Sequence, residues 1–117
     1  MKRSIAYITA AWGSDDVENT ELAAQYCRAV YEAGYSPVCP LLFLPLFLND
    51  EIPQEHKDAV DMAREHLRRA RVLVVIRKGR ATEQMKKDIA IAERLGIVTT
   101  SLRGIQDVQL QGREQHA

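Results

Sequence analysis

The sequence predicts one α/β domain built on a mostly parallel sheet of about four strands. Three observations predict it. A chain of 117 residues suits a single domain with one buried core. Short branched-apolar runs alternate with amphipathic stretches of helical period, and glycine or proline punctuates most of the joins.

The elements follow in order. Residues 4–11 form an apolar, β-rich run, the pattern of a strand buried on both faces. Gly13-Ser14-Asp15-Asp16 breaks it, and Asp15 with Glu18 resembles a helix N-terminal box. Leu22, Tyr26, Ala29, Val30 and Ala33 then recur at helical spacing until Gly34, which suits a C-terminal cap. A short second strand is expected at about Ser36–Cys39. Pro40 to Gln54 is apolar but carries Pro40, Pro45 and Pro53, so it reads as irregular. A second helix is expected from about Glu55 to Ala70, with Ala59, Val60, Ala63, Leu67 and Ala70 on one face. Val72-Leu73-Val74-Val75-Ile76 has the unbroken branched pattern of a central parallel strand. Gly79 ends the turn after it, Thr82 caps a third helix, and Gly96 closes that helix. Ile97 to Leu102 is the last strand. The whole reads as a βαβαβαβ chain, a Rossmann-like or flavodoxin-like three-layer sandwich spanning residues 1–104. Residues 105–117 read as a polar C-terminal tail, frayed from Gln111 onward.

Composition narrows the partners. Formal net charge is zero, so no basic footprint invites nucleic acid. The run from Pro37 to Leu48 is too short to span a bilayer, and Met1-Lys2-Arg3-Ser4 leads straight into a strand and not a leader. A soluble, cytoplasmic protein acting on a small molecule is expected, with no nucleic-acid or membrane partner. Cys27 and Cys39 have neither metal-ligand nor secreted-disulfide spacing and read as small core residues. His56, His66 and His116 form no ligand pattern, so neither a metal nor a cofactor is expected.

Ligands of open parallel sheets bind beyond the carboxyl ends of the strands. That rule points to Ala11–Asp16, Leu41–Asp50 and Arg77–Met85. Gly13 has no G-x-G-x-x-G around it, and Asp15 and Asp16 would repel a pyrophosphate, so this loop suits a neutral hydroxyl-bearing ligand. On the third helix, 100° per residue places Met85, Ile89, Ile91, Ala92 and Leu95 on one arc. Asp88 falls inside that arc. Glu83, Lys87, Ala90 and Arg94 occupy the other, where Glu83 and Lys87 form a favourable i, i+4 pair. A carboxylate on an inward face needs a reason to be there. Asp88 either reaches a backbone donor or a basic residue from another element, serves as a catalytic or ligand-binding carboxylate near the mouth of the sheet, or is an ordinary solvated side chain.

The same stretches carry a family likeness. Tyr7-Ile8-Thr9-Ala10-Ala11-Trp12 resembles the opening strand and loop of nucleoside 2-deoxyribosyltransferase-like proteins, and the run from Thr82 to Ala92 is similar to the start of their catalytic helix. The Pro40–Leu48 stretch looks like that of short uncharacterised relatives of the group, themselves domains of unknown function. The likeness runs from about residue 4 to 102. It implies a carboxylate nucleophile that attacks the anomeric carbon of a nucleoside, forming a sugar ester that a second base or water displaces. Asp88 occupies that position, with Tyr7 and Thr82 assisting. Departures are an Asp one methylene shorter than the usual Glu, Arg71 in place of an acidic residue, Gln84 in place of Gly, and Ala11 in place of Pro.

The expectation is therefore a nucleoside or nucleotide N-glycosyl transferase or hydrolase with Asp88 and Tyr7 as catalytic residues. Trp12, Phe43, Phe47, Thr82 and Met85 are its candidate substrate contacts. Trp12 suits stacking on a base or an oligomer contact. Phe43 and Phe47 would wall a base pocket, yet so apolar a loop in a small chain favours a homo-oligomer interface through residues 40–50. Lys78 and Arg80 flank Gly79 as phosphate ligands or solvated charges. A non-catalytic nucleotide- or ADP-ribose-like binding module and a self-associating structural protein are the alternatives.

Overall fold

The computed structural model describes residues 3–10, 16–76 and 82–106. Four strands pair in parallel: β1 (Ile5–Ala10), β2 (Ser36–Val38), β3 (Val72–Ile76) and β4 (Val98–Ser101). Their order is β2-β1-β3-β4, the flavodoxin-like arrangement. Because β1 connects to β2 on one side while β3 lies on the other, the strand order reverses between β1 and β3. Ala6 to Ala10 pair in register with Val72 to Ile76, so the carboxyl ends of these two strands finish together.

Alternation along the strands sorts the core into two layers. Ala6, Ile8, Val72, Val74 and Ile76 face helix α1 (Asp16–Glu32), where Ala23, Val30 and Ala33 are buried against them. Tyr7, Leu73 and Val75 face the opposite way, toward Leu67 of helix α2 (Pro53–Arg68) and toward Met85 and Ala92 of helix α3 (Glu83–Leu95). The result is the expected α/β sandwich with helices on both faces of a parallel sheet.

Several boundaries differ from the sequence expectation, each for a physical reason. Helix α2 begins at Pro53, whose missing N–H costs nothing at the first helical position, and ends at Arg68. The Pro40–Leu48 segment folds into two single 3₁₀ turns, Pro40–Leu42 and Leu44–Leu46. Leu95, placed on the inward arc of α3, is exposed because it closes the last turn beyond the sheet, where Gly96 at φ 73° caps the helix. Glu83 pairs with Lys86 at 3.5 Å instead of Lys87. Strand β4 stops at Ser101, and a short helical turn over 102–106 follows. Ile105, assigned to the tail, is only 2% exposed and packs on the α1 side of the sheet, so the core reaches past residue 104. The Asp15 cap and the frayed end fall outside the described residues.

Candidate functional site

At the carboxyl end of β1, Thr9 points to the α2–α3 side, the same side as Tyr7. Its hydroxyl donates to Asp88 Oδ2 at 2.9 Å. One turn before Asp88 on α3, the Gln84 side-chain amide donates to Oδ1 at 3.1 Å. Asp88 is 2% exposed, yet the residues around it are not all packed apolar groups. A cavity of about 550 Å³ opens beside it, with Tyr7, Thr9, Gln84 and Asp88 among its lining residues. That volume lies in the range of small-molecule sites. Its position is where the topology predicts it, by the β1–β3 reversal.

Thr82 is the N-cap of α3, its hydroxyl accepting from the Met85 N–H at 3.1 Å, and it also lines the cavity. The hydroxyl keeps its own proton to donate to a ligand. The far wall comes from the segment after β2. Leu41 and Leu44 are three residues apart in successive 3₁₀ turns and so share a side, and with Leu48 they face the cavity. Phe43 and Phe47 do not line it. Phe43 instead meets His66 edge-on at 5.5 Å between ring centroids, while Phe47 is 60% exposed. Met85 does not line the cavity either; it is buried in the core beneath α3. Trp12, Lys78, Gly79 and Arg80 lie outside the described residues. The loop wall is therefore built from leucines where the sequence suggested phenylalanines.

Burial raises the Asp88 carboxyl above the ordinary carboxylate range, while hydrogen bonds from Thr9 and Gln84 and the positive charge of Arg64 pull it back. Tyr7 is raised too, first by burial and then by the Asp88 charge, so its phenol stays protonated and able to donate. Arg64, on α2, acts on both groups from a distance; no ion pair joins it to Asp88 among the described residues, and its Nε is buried without a hydrogen-bond partner. Asp88 thus meets neutral donors and an open hollow, not a locking arginine.

Sequence reasoning singled out Asp88, Tyr7 and Thr82, and the fold brings all three to one cavity. It missed Thr9 and Gln84 as the donors to Asp88, although Gln84 at i−4 was legible as a helical neighbour. It also missed Asp50 and His56, which line the same cavity with His56 Nδ1 2.6 Å from Asp50 Oδ1. Neither thiol was read as part of a pair, yet Cys39, on the cavity wall, and Cys27 on α1 are near enough to shift each other's titration. Their mutual influence lowers the Cys27 thiol and, with burial, raises Cys39.

Elsewhere, a hollow of about 810 Å³ opens between the amino ends of β3 and β4 and gathers Arg68 and Arg71 but no carboxylate. No cluster of three or more histidine, cysteine or acidic side chains with metal-binding geometry occurs among the described residues. None of the described helices is long and apolar enough to cross a membrane.

Residues 4–101 match the family described as Domain of unknown function (DUF7768). The chain belongs to that family. No curated protein matches it. In this DUF7768 chain the matched span begins just before β1 and ends with β4, so it contains the whole sheet and every described residue of the Asp88 cavity.

Proposed function

We propose that the cavity binds a nucleoside or nucleotide and that Asp88 is the nucleophile of an N-glycosyl transfer or hydrolysis. The observation that carries this reading is a buried carboxylate, held by two neutral donors, beside an apolar-walled cavity at the strand-order reversal. A carboxylate oxygen bonds to the anomeric carbon, the carbon–nitrogen bond breaks, and its electron pair leaves with the base. A second base or water then displaces the carboxylate from the sugar. Thr9 and Gln84 hold the side chain in place, an advantage where an error of about 1 Å costs on the order of a hundredfold. Leu41, Leu44 and Leu48 suit the faces of a base, while Tyr7 and Thr82 offer hydroxyl donors for the sugar. The resemblance of the β1 and α3 segments to nucleoside 2-deoxyribosyltransferase-like proteins supports the same assignment. We place the protein in the cytoplasm as part of the same reading.

A second reading is a binding module of the nucleotide or ADP-ribose-like kind. Both Asp88 oxygens already accept hydrogen bonds, and the side chain is a methylene shorter than the glutamate of the similar transferases. In that role the carboxylate accepts sugar hydroxyls without attacking carbon. Exposed Leu46 and Phe47 favour self-association of the chain under either reading.

Incubation with deoxynucleosides and a second free base, followed by chromatography, separates the two. Base exchange or release of free base that Asp88→Ala abolishes is the expected result. Ligand binding without turnover assigns the protein to the module.

A further inference from the structure

The cavity that Asp88 lines holds further chemistry that the nucleophile alone does not use. Between the second 3₁₀ turn and α2, the chain folds into a pinned turn. The Asn49 N–H donates to Glu55 Oε1 at 3.1 Å, and Asn49 Oδ1 accepts from the Glu51 N–H at 3.0 Å. The Ile52 N–H donates to the Asn49 carbonyl at 3.1 Å, and the His56 N–H to the Ile52 carbonyl at 2.9 Å. This frame sets Asp50 against the imidazole of His56, with Nδ1 2.6 Å from Oδ1.

An ionised carboxylate only accepts, so the proton of that contact sits on Nδ1 and Nε2 is the ring's working nitrogen. Both residues line the same cavity as Asp88, and both side chains are more than half exposed, in exchange with bulk water at its mouth. A carboxylate that fixes one ring nitrogen and leaves the other unengaged, in a ring that lines a cavity, is the arrangement of an oriented acid–base histidine.

We propose that His56, oriented by Asp50, is the general acid–base of this cavity, handling the proton of the departing base; this rests on the reading of Asp88 as a glycosyl nucleophile. As Asp88 bonds to the anomeric carbon, the carbon–nitrogen pair moves onto the base, which takes the Nε2 proton of the His56 imidazolium and leaves a neutral ring protonated at Nδ1. In hydrolysis a water then gives a proton to Nε2 while its oxygen bonds to the anomeric carbon. The sugar–Asp88 bond breaks and its electron pair returns to the carboxylate. Each group ends as it began.

Leaving-group dependence tests the assignment, because a leaving group that departs as a stable anion needs no proton. The full chain is assayed on a nucleoside and on the p-nitrophenyl glycoside of the same sugar. Expected is a loss of roughly a hundredfold in kcat/KM on the nucleoside for His56→Ala, with kcat/KM for p-nitrophenyl release nearly unchanged and its kcat lowered by the water step. Asp50→Asn loses less, in the same pattern, and Asp88→Ala loses both reactions. His56→Gln, which keeps a donor for Asp50 but cannot carry the proton, matches the wild-type melting curve and the His56→Ala activity. Equal losses on both substrates, or none on the nucleoside while Asp88→Ala is inactive, overturn the acid–base role and leave the nucleophile standing. A wild type inert on both substrates overturns the glycosyl reading and the His56 assignment together.

Discussion

The Thr9 hydroxyl donates to Asp88 across 79 positions of sequence, tying the carboxyl end of β1 to the first turns of α3. One hydrogen bond therefore fixes both the orientation of the buried carboxylate and the seating of the helix that carries it. Thr9 is 5% exposed and Asp88 2%, so neither group has water as a ready substitute.

Thr9→Val keeps the shape of the side chain and removes the donor. A stability loss on the order of 1–3 kcal/mol is expected near neutral pH, where the carboxylate needs the bond most. The loss shrinks in acid, where Asp88 is protonated. Urea melts at two pH values check this, and a double-mutant cycle with Asp88→Asn assigns the coupling to the pair.

Asp88→Asn separates stability from function. Burial raises the Asp88 carboxyl in the folded protein. Between its ordinary value of about 4 and the raised one, the native state holds more of the proton than the unfolded state does. Stability contributed by this group is thus present in acid and lost as pH rises through that window. Asparagine does not titrate, so the variant gains on the wild type in Tm as pH rises through that window. The proposed glycosyl transfer is expected to be lost. Scanning calorimetry from acid to neutral pH measures the crossing; a constant difference at all pH values would exclude the titration.

Leu67 is fully buried between α2 and the sheet, whereas Leu46, in the apolar segment, is 83% exposed. Leu67→Ala is expected to cost about 2–5 kcal/mol, and Leu46→Ser less than about 0.5 kcal/mol in dilute solution. Adding Phe47→Ser to Leu46→Ser removes the self-association proposed for this patch. Sedimentation of the double variant as a monomer, beside a larger wild type, is the expected outcome.

Gly96 sits at φ 73°, where a Cβ would meet no atom within 4 Å. The cost of Gly96→Ala is therefore backbone strain alone, about 1 kcal/mol, and Gly96→Asn costs less. Thermal melts of the two variants rank them.

Local patterns reached most of the scaffold. The branched run at 72–76, the glycines after α1 and α3, and Thr82 ahead of α3 each carry a signal within a few residues, because strand burial and helix capping are short-range effects. The Pro40–Leu48 segment was harder. Its composition marked it as apolar and proline-broken, but only the 3₁₀ period decides that Leu41 and Leu44 face the cavity while Phe43 turns to His66.

By itself, the sequence determined the α/β alternation and the inward placement of Asp88, since both follow from periods of two and 3.6 residues. Only the tertiary structure decided that Thr9 and Gln84 satisfy that carboxylate, that Cys27 meets Cys39, and that the Asp50–His56 pair shares its cavity. Such meetings depend on strand order and on how loops close over the sheet's end. A one-dimensional pattern carries the direction in which a side chain points, not what it finds there.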